Sequence, residues 1–237
     1  MLILAGGTPR SGTTWLTNIV QNLLKVKSLE FDTVNANSPQ EVRNSVLEHV
    51  LGRHRVVHFH AVIPVVGHLA RKQQATVWYA FRDPGDIVVS QMGLRNIPFE
   101  PALKMTAAAV NQLNQAIQSP EVNLVPYGAL MQDPEGHTFQ IARSLGMLVK
   151  TSEIREVLDA CSFERNKAEV ERLDRGEGVF HEQHTQTRTI RSNPETLVTD
   201  RHIQSGKLGR WREELDEAQQ ARIEQSFAEY YKVLSGY

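Results

Sequence analysis

Short apolar runs alternate along the chain with longer stretches in which apolar positions recur every three or four residues. The runs Leu2 to Ala5, Arg55 to His60, Thr76 to Phe81 and Asn123 to Tyr127 have the length and composition of buried strands. Helical period, with start and stop signals, predicts helices over Thr13 to Lys25, Pro39 to Gly52, Pro84 to Asn96, Ala102 to Gln118, Pro134 to Leu145, Ser152 to Ala160 and Glu217 to Leu234. Strand followed by helix, repeated, builds a parallel sheet covered on both faces, so the expected fold class is α/β, a three-layer fold with a central parallel sheet. Between Gly176 and Gly209 both periods fail, and glycines, histidines, threonines and Pro194 make a long polar segment. A stretch of that length in a compact domain commonly serves as a lid or binding loop. The expectation is one domain over 1–237 with a mobile lid or substrate loop at 176–208.

The first strand changes the picture, because a distinctive loop follows it. Gly7-Thr8-Pro9-Arg10-Ser11-Gly12-Thr13-Thr14-Trp15 has the glycine spacing of G-x-x-x-x-G-K-[ST], but Thr13 stands where the lysine belongs and Thr14 fills the last hydroxyl position. That lysine reaches the β and γ phosphates in nucleoside triphosphatases. Here the loop cation is Arg10, two residues before Gly12, so charge meets an anion from a different side. The amides of Ser11 to Thr14 and the positive end of the following helix still cradle an oxyanion.

A second stretch, Phe81-Arg82-Asp83-Pro84-Gly85-Asp86-Ile87-Val88-Val89-Ser90, ends a strand at an arginine and opens a helix at proline. Arg82 then sits on the rim where open parallel sheets bind ligands, and Ser90, two helical turns on, could share an anion with it. A third strand closes on His60 at the same rim, with His58 two residues earlier on the same face competing for any role as base.

Composition bounds the partners. Among 237 residues, 26 lysines and arginines face 27 acids, a balance that argues against a broad nucleic-acid footprint and leaves room for a local cationic pocket. Cys161 is the single cysteine, which excludes an internal disulfide and fits a reducing compartment. Only five residues precede Gly6, and they are needed for the first strand. The location expected on that ground is cytoplasmic, without membrane attachment. The histidines lack a cysteine partner or zinc-binding spacing, and no metal is expected.

These residues together resemble the sulfotransferase family that uses 3′-phosphoadenosine 5′-phosphosulfate (PAPS) and releases 3′-phosphoadenosine 5′-phosphate (PAP). Gly7 to Trp15 is similar to that family's P-loop-like phosphosulfate-binding loop, Pro-Lys-Ser-Gly-Thr-Thr-Trp. Arg82 and Ser90 are similar to its 3′-phosphate motif. His60 resembles the histidine of the Lys-Thr-His-Leu-Pro segment, and Tyr127 with Pro134 the segment that helps hold the adenine. Gly206-Lys207-Leu208-Gly209-Arg210-Trp211-Arg212 resembles the Arg-Lys-Gly-x-x-Gly-x-Trp-Lys cofactor motif, with Gln204 and Ser205 in place of the Arg-Lys pair and Arg201 or Lys207 as substitutes.

The resemblance implies transfer of a sulfonyl group to a hydroxyl or amine of a small-molecule acceptor. His60 and Arg10 would be catalytic. Arg10, Ser11, Gly12, Thr13, Thr14, Trp15, Arg82, Ser90, Tyr127, Ser205, Gly206 and Lys207 would bind the cofactor. Oligomeric state is left open, a homodimer included.

Plainer readings stand beside these. The loop also reads as a helix cap, Arg82 as an ion-pair partner of Asp83 or Asp86, His60 as a core histidine, and Trp211 as a core anchor. A nucleotide kinase is the alternative enzyme, and a nucleotide-binding regulatory module the non-catalytic one.

Overall fold

The computed structural model describes residues 1–36, 38–49, 54–60, 63–72, 74–184, 189–200 and 206–234. Along the chain run β1 (Leu2–Gly7), α1 (Thr13–Val26), β2 (Phe31–Ala36), α2 (Pro39–His49), β3 (His54–Phe59), α3 (Ile63–Arg71), β4 (Thr76–Phe81), α4 (Pro84–Arg95) and α5 (Phe99–Ile117). They are followed by β5 (Val122–Pro126), α6 (Tyr127–Gln132), α7 (Pro134–Ser144), α8 (Thr151–Ala160), α9 (Phe163–Asp174), β6 (His181–His184), β7 (Thr189–Ser192), α10 (Trp211–Glu214), α11 (Glu217–Ser226) and α12 (Ala228–Leu234).

The central sheet has the order β2-β3-β1-β4-β5, and every neighbouring pair is parallel. The α/β expectation holds. All strands therefore deliver their carboxyl ends to one rim, where Gly7, Phe59, Phe81 and Pro126 end β1, β3, β4 and β5. The chain adds β2 and β3 on one side of β1, then β4 and β5 on the other. Connections diverge at β1, which opens the crevice in which such sheets bind ligands.

Strands buried on both faces carry apolar residues on both. Leu4, Phe59, Tyr79, Phe81 and Val88 pack with Trp211 on one side. Ile3, Ala5 and Trp78 pack with Leu16, Ile19 and Leu23 of α1 on the other. Trp211 is fully buried, so the core-anchor reading describes it.

Several elements depart from the pattern predicted above. β2, α3 and α9 were not expected, and the polar segment after Gly176 contains an antiparallel hairpin, with His181 opposite Ser192 and His184 opposite Thr189. Tyr127 opens α6 rather than ending β5, and His60 follows β3 instead of closing it. The single helix expected over Glu217 to Leu234 is two helices, interrupted at Phe227, which leaves helical geometry (φ −118°) with its side chain buried.

Candidate active site

The loop after β1 is fastened to β4. Thr8 N–H donates to Ala80 O at 3.0 Å, and a Cβ on Gly7 would lie 2.0 Å from that same oxygen, so the two backbones approach as only glycine permits. Arg10 (φ 69°) and Gly12 (φ 76°) both take left-handed conformations that fold the loop over the start of α1. A non-glycine residue held there is a strained feature typical of ligand sites. The Ser11 hydroxyl is buried and hydrogen-bonded to the Thr8 hydroxyl, so Ser11 offers the cleft its backbone rather than its side chain. The first amides of α1, from Thr13 on, have no acceptor within the helix and add the positive end of its dipole.

Arg10 reaches across this loop, its Nε donating to Ser90 Oγ at 2.9 Å. Burial, then the nearby guanidinium groups of Arg82, Arg95 and Arg210, push its pKa down to about 10. It remains charged at neutral pH, among cations that disfavour its charge. Arg82 is aimed by Asp86, whose Oδ2 accepts from Arg82 Nη2 at 3.2 Å and Nε at 3.3 Å, so the ion pair foreseen as a plainer reading is formed. The guanidinium also lies 4.7 Å from the centre of the Tyr127 ring and donates to the Lys207 carbonyl at 2.7 Å. Asp86 further accepts Gly209 N–H at 2.9 Å, while its Oδ1 is buried without a hydrogen-bond partner among the described residues.

His60 stands between this cluster and β3. Its Nδ1 is 3.2 Å from Gly7 O, and its Nε2 is 3.3 Å from His58 Nε2. Burial, opposed by the Gly7 carbonyl and reinforced by Arg10, lowers the pKa of His60 from its ordinary value, so the neutral, proton-accepting ring is favoured. His58 is buried, and its Nδ1 lies 2.9 Å from Thr17 Oγ1 on α1. The two rings meet edge to face, their centres 4.8 Å apart.

These groups line one cleft of about 1350 Å³. Gly12, Thr13, Thr14, Trp15, Ser90 and Tyr127 face it, as do Arg10, His60, Arg82 and Gly206. Lys207 contributes its carbonyl, while its ammonium is paired with Glu213 at 2.6 Å. Ser205, with Gln204 and Arg201, lies outside the described residues.

The sequence reading missed Arg95, Arg210 and Phe163, and named Asp86 only as an ion-pair partner of Arg82. Asp86 has an ordinary helical position, and its partner Gly209 is 123 residues away. Arg95 and Arg210 line the cleft without a motif of their own, although Arg210 lies inside the C-terminal segment that the resemblance covered. Phe163 opens a helix that the pattern did not predict and presents a ring 44% exposed to a cleft that also holds Trp15 and Tyr127. Leu94, Ile97 and Met105 add apolar side chains to the lining. Among the described residues no group of three or more histidine, cysteine or acidic side chains could hold a metal ion. No described helix is long and apolar enough to cross a membrane.

The sulfotransferase-domain family model matches residues 2–235. The chain belongs to this family. As a sulfotransferase it moves a sulfonyl group from PAPS, and the kinase alternative raised by the near-Walker loop falls away. Comparison with curated protein sequences gave no match. Among solved structures, the sulfotransferase domain is similar to mouse sulfotransferase SULT7A1 complexed with PAP, at TM-score 0.69 and 16% identity, covering 96% of this chain and 83% of that one. It is also similar to retinol dehydratase, in complexes with retinol and PAP (TM-score 0.65) and with androsterone and inactive cofactor PAP (TM-score 0.67). Both are 17% identical and cover 96% of this chain and 80% of the other. At such identities the likeness establishes the shared fold.

Proposed function

We propose that this sulfotransferase acts on a hydroxyl or amine of a small-molecule acceptor, with Arg10 at the transferring group, His60 as general base, and Arg82 and Ser90 at the 3′-phosphate. The observation that carries this reading is the placing of Arg10, Arg82, Arg95 and Arg210 around one cleft, beside the amides of α1. Such a donor set fits a ligand with two separated anionic groups, as PAPS has. The structural neighbours that hold PAP, and the retinol and androsterone bound in two of them, support the same ligand classes here.

When bound, PAPS supplies a sulfonyl group already attached to a good leaving group, so positioning and electrostatics do most of the work. The α1 amides and Arg10 would hold oxygens that gain charge, and Arg10 does so without releasing a proton. Ser90 steadies the Arg10 fork and Asp86 that of Arg82. Trp15 and Phe163 offer ring faces to a planar base. His60 takes the acceptor's proton, as a neutral imidazole suits. Gln183 and Ile190 of the hairpin, with Val198 and Thr199, border the cleft, which supports a lid or acceptor-selecting role for residues 176–208 within a single domain. A cytoplasmic location accords with the buried free thiol of Cys161.

PAP is expected to raise the melting temperature well above the rise given by ADP or ATP, without added magnesium, because it alone fills both anion sites. Differential scanning calorimetry with the three ligands tests this, and equal shifts for ATP and PAP would overturn the assignment of Arg82 and Ser90. A screen of acceptors with labelled PAPS, read by mass spectrometry for a sulfonyl gain, then names the acceptor.

A further inference from the structure

Two polar side chains on the buried flank of α1 find partners within the fold, and one between them does not. The Thr17 hydroxyl lies 2.9 Å from Thr13 O and 3.1 Å from Ala5 O. Gln21 Nε2 donates to Thr33 Oγ1 at 2.9 Å and to the Glu195 carbonyl at 2.8 Å. Asn18 is 2% exposed, and its Oδ1 is buried without a hydrogen-bond partner among the described residues. Asn22 donates to the backbone carbonyl of Asn18 and leaves the side-chain oxygen as it is. A buried amide oxygen without a donor costs stability that a leucine of similar shape would not. Asn18 also lines the cleft, where a ligand can supply the missing bond.

The place of Asn18 in the fold says which part of a ligand it meets. Thr14 and Asn18 share one face of α1, a helical turn or about 6 Å apart along the axis, so the amide stands one turn from the backbone assigned to the transferring group. Gln21, the next residue on that face, reaches β2. In the sheet, β2 and β3 lie on the side of β1 that also carries His60, whereas Arg82 and Tyr127 follow β4 and β5 on the other side. The contact with Glu195 sets the same flank against the segment whose Ile190 and Val198 line the cleft. Asn18 is thus on the side of the base and the lid.

We propose that the Asn18 amide recognises a second hydroxyl on the acceptor, beside the group that takes the sulfonyl, so that the enzyme selects polyhydroxylated acceptors of sugar or polyol type over alcohols with a single hydroxyl. The proposal rests on reading this cleft as the sulfonyl-transfer site. A half-turn about χ2 exchanges Oδ1 with Nδ2, so the amide meets a ligand as acceptor or as donor. A hydroxyl, donor and acceptor at one atom, answers either end. The arginines gathered at the cleft disfavour a cationic donor in its place. A ligand without the second hydroxyl leaves Oδ1 as it is in the empty protein and gains nothing there, which is the basis of the selection.

The test compares two probes that share an apolar body, benzyl glucoside and benzyl alcohol, in the wild type and in Asn18→Leu. Mass spectrometry follows sulfonyl transfer from labelled PAPS, and calorimetry follows PAP binding and thermal unfolding. In Asn18→Leu, kcat/KM for benzyl glucoside is expected to fall about 10- to 100-fold, while kcat/KM for benzyl alcohol and the affinity for PAP stay within about twofold. The melting temperature of the empty variant should equal or exceed that of the wild type, because leucine leaves no oxygen unpaired.

An equal fall for both probes overturns the proposal, and so does a PAP affinity that falls with them, which would place Asn18 at the adenine. A lower melting temperature would show the amide to be a structural group and overturn it too. If Asn18→Leu does not fold, the wild type decides. With PAP bound, it should hold benzyl glucoside at least about tenfold more tightly than benzyl alcohol, and equal or absent binding of both overturns the proposal. A protein that prefers the glucoside in this titration but transfers no sulfonyl group to either probe counts against the function and leaves the Asn18 site standing.

Discussion

A buried carboxylate decides where Arg82 points. The Asp86 side chain is fully buried and the Arg82 side chain nearly so, and the same Asp86 oxygen receives Gly209 N–H, so one residue ties the end of β4 to the segment before α10. Removing it leaves a buried guanidinium and a buried amide short of an acceptor. Asp86→Ala is therefore expected to destabilise the protein by about 3 to 5 kcal/mol in urea denaturation, far more than loss of an exposed pair such as Arg165–Asp159 would. A loss below about 1 kcal/mol would show that the pair is not structural. Arg10, Arg82, Ser90 and His60 were legible in the sequence because each sits at a fixed distance from a glycine loop or a strand end. Asp86 and His58 were legible only as an ion-pair partner of Arg82 and a competing base, since their contacts with Gly209 and Thr17 arise only in the fold.

At the level of elements, the most legible unit was β1, its loop and α1, where an apolar run, two glycines and a clear helical stripe coincide. The hidden ones lack such contrast. β2 is an edge strand, partly exposed over most of its length, and α9 buries Leu173 almost alone among its twelve residues, so neither shows a strong apolar period. The residues of β6 are all exposed and carry no alternation to read. Packing between α4 and α10 is tight enough to be tested by one methyl group. A Cβ at Gly85 would lie 2.5 to 2.6 Å from three atoms of the Trp211 ring, which is fully buried and has nowhere to move. Gly85→Ala should cost about 1 to 3 kcal/mol and shift the tryptophan emission to the red as Trp211 loosens. Unchanged emission and stability would mean that α10 docks less firmly than the contact implies.

On the scale of the whole molecule, charge is close to balanced, with a formal net of −1, while four arginines gather at the cleft, two of them, Arg82 and Arg210, paired with Asp86 and Glu214. Arg10 lies within the field of three other arginines. Salt should therefore act in two directions. Between about 0.05 and 0.5 M potassium chloride, the melting temperature of the empty protein is expected to rise as the cations are shielded from one another, while the further rise produced by saturating PAP shrinks. Calorimetry across that range checks both slopes, and a falling curve for the empty protein would show that its surface pairs dominate instead. The loop after β1 that places Arg10 among those cations has a consequence beyond catalysis. A fold that its ligand stabilises is unfolded, and so degraded, more readily when that ligand is scarce. The amount of this enzyme in a cell would then follow the supply of its sulfonyl donor, with no dedicated regulator needed to link the two.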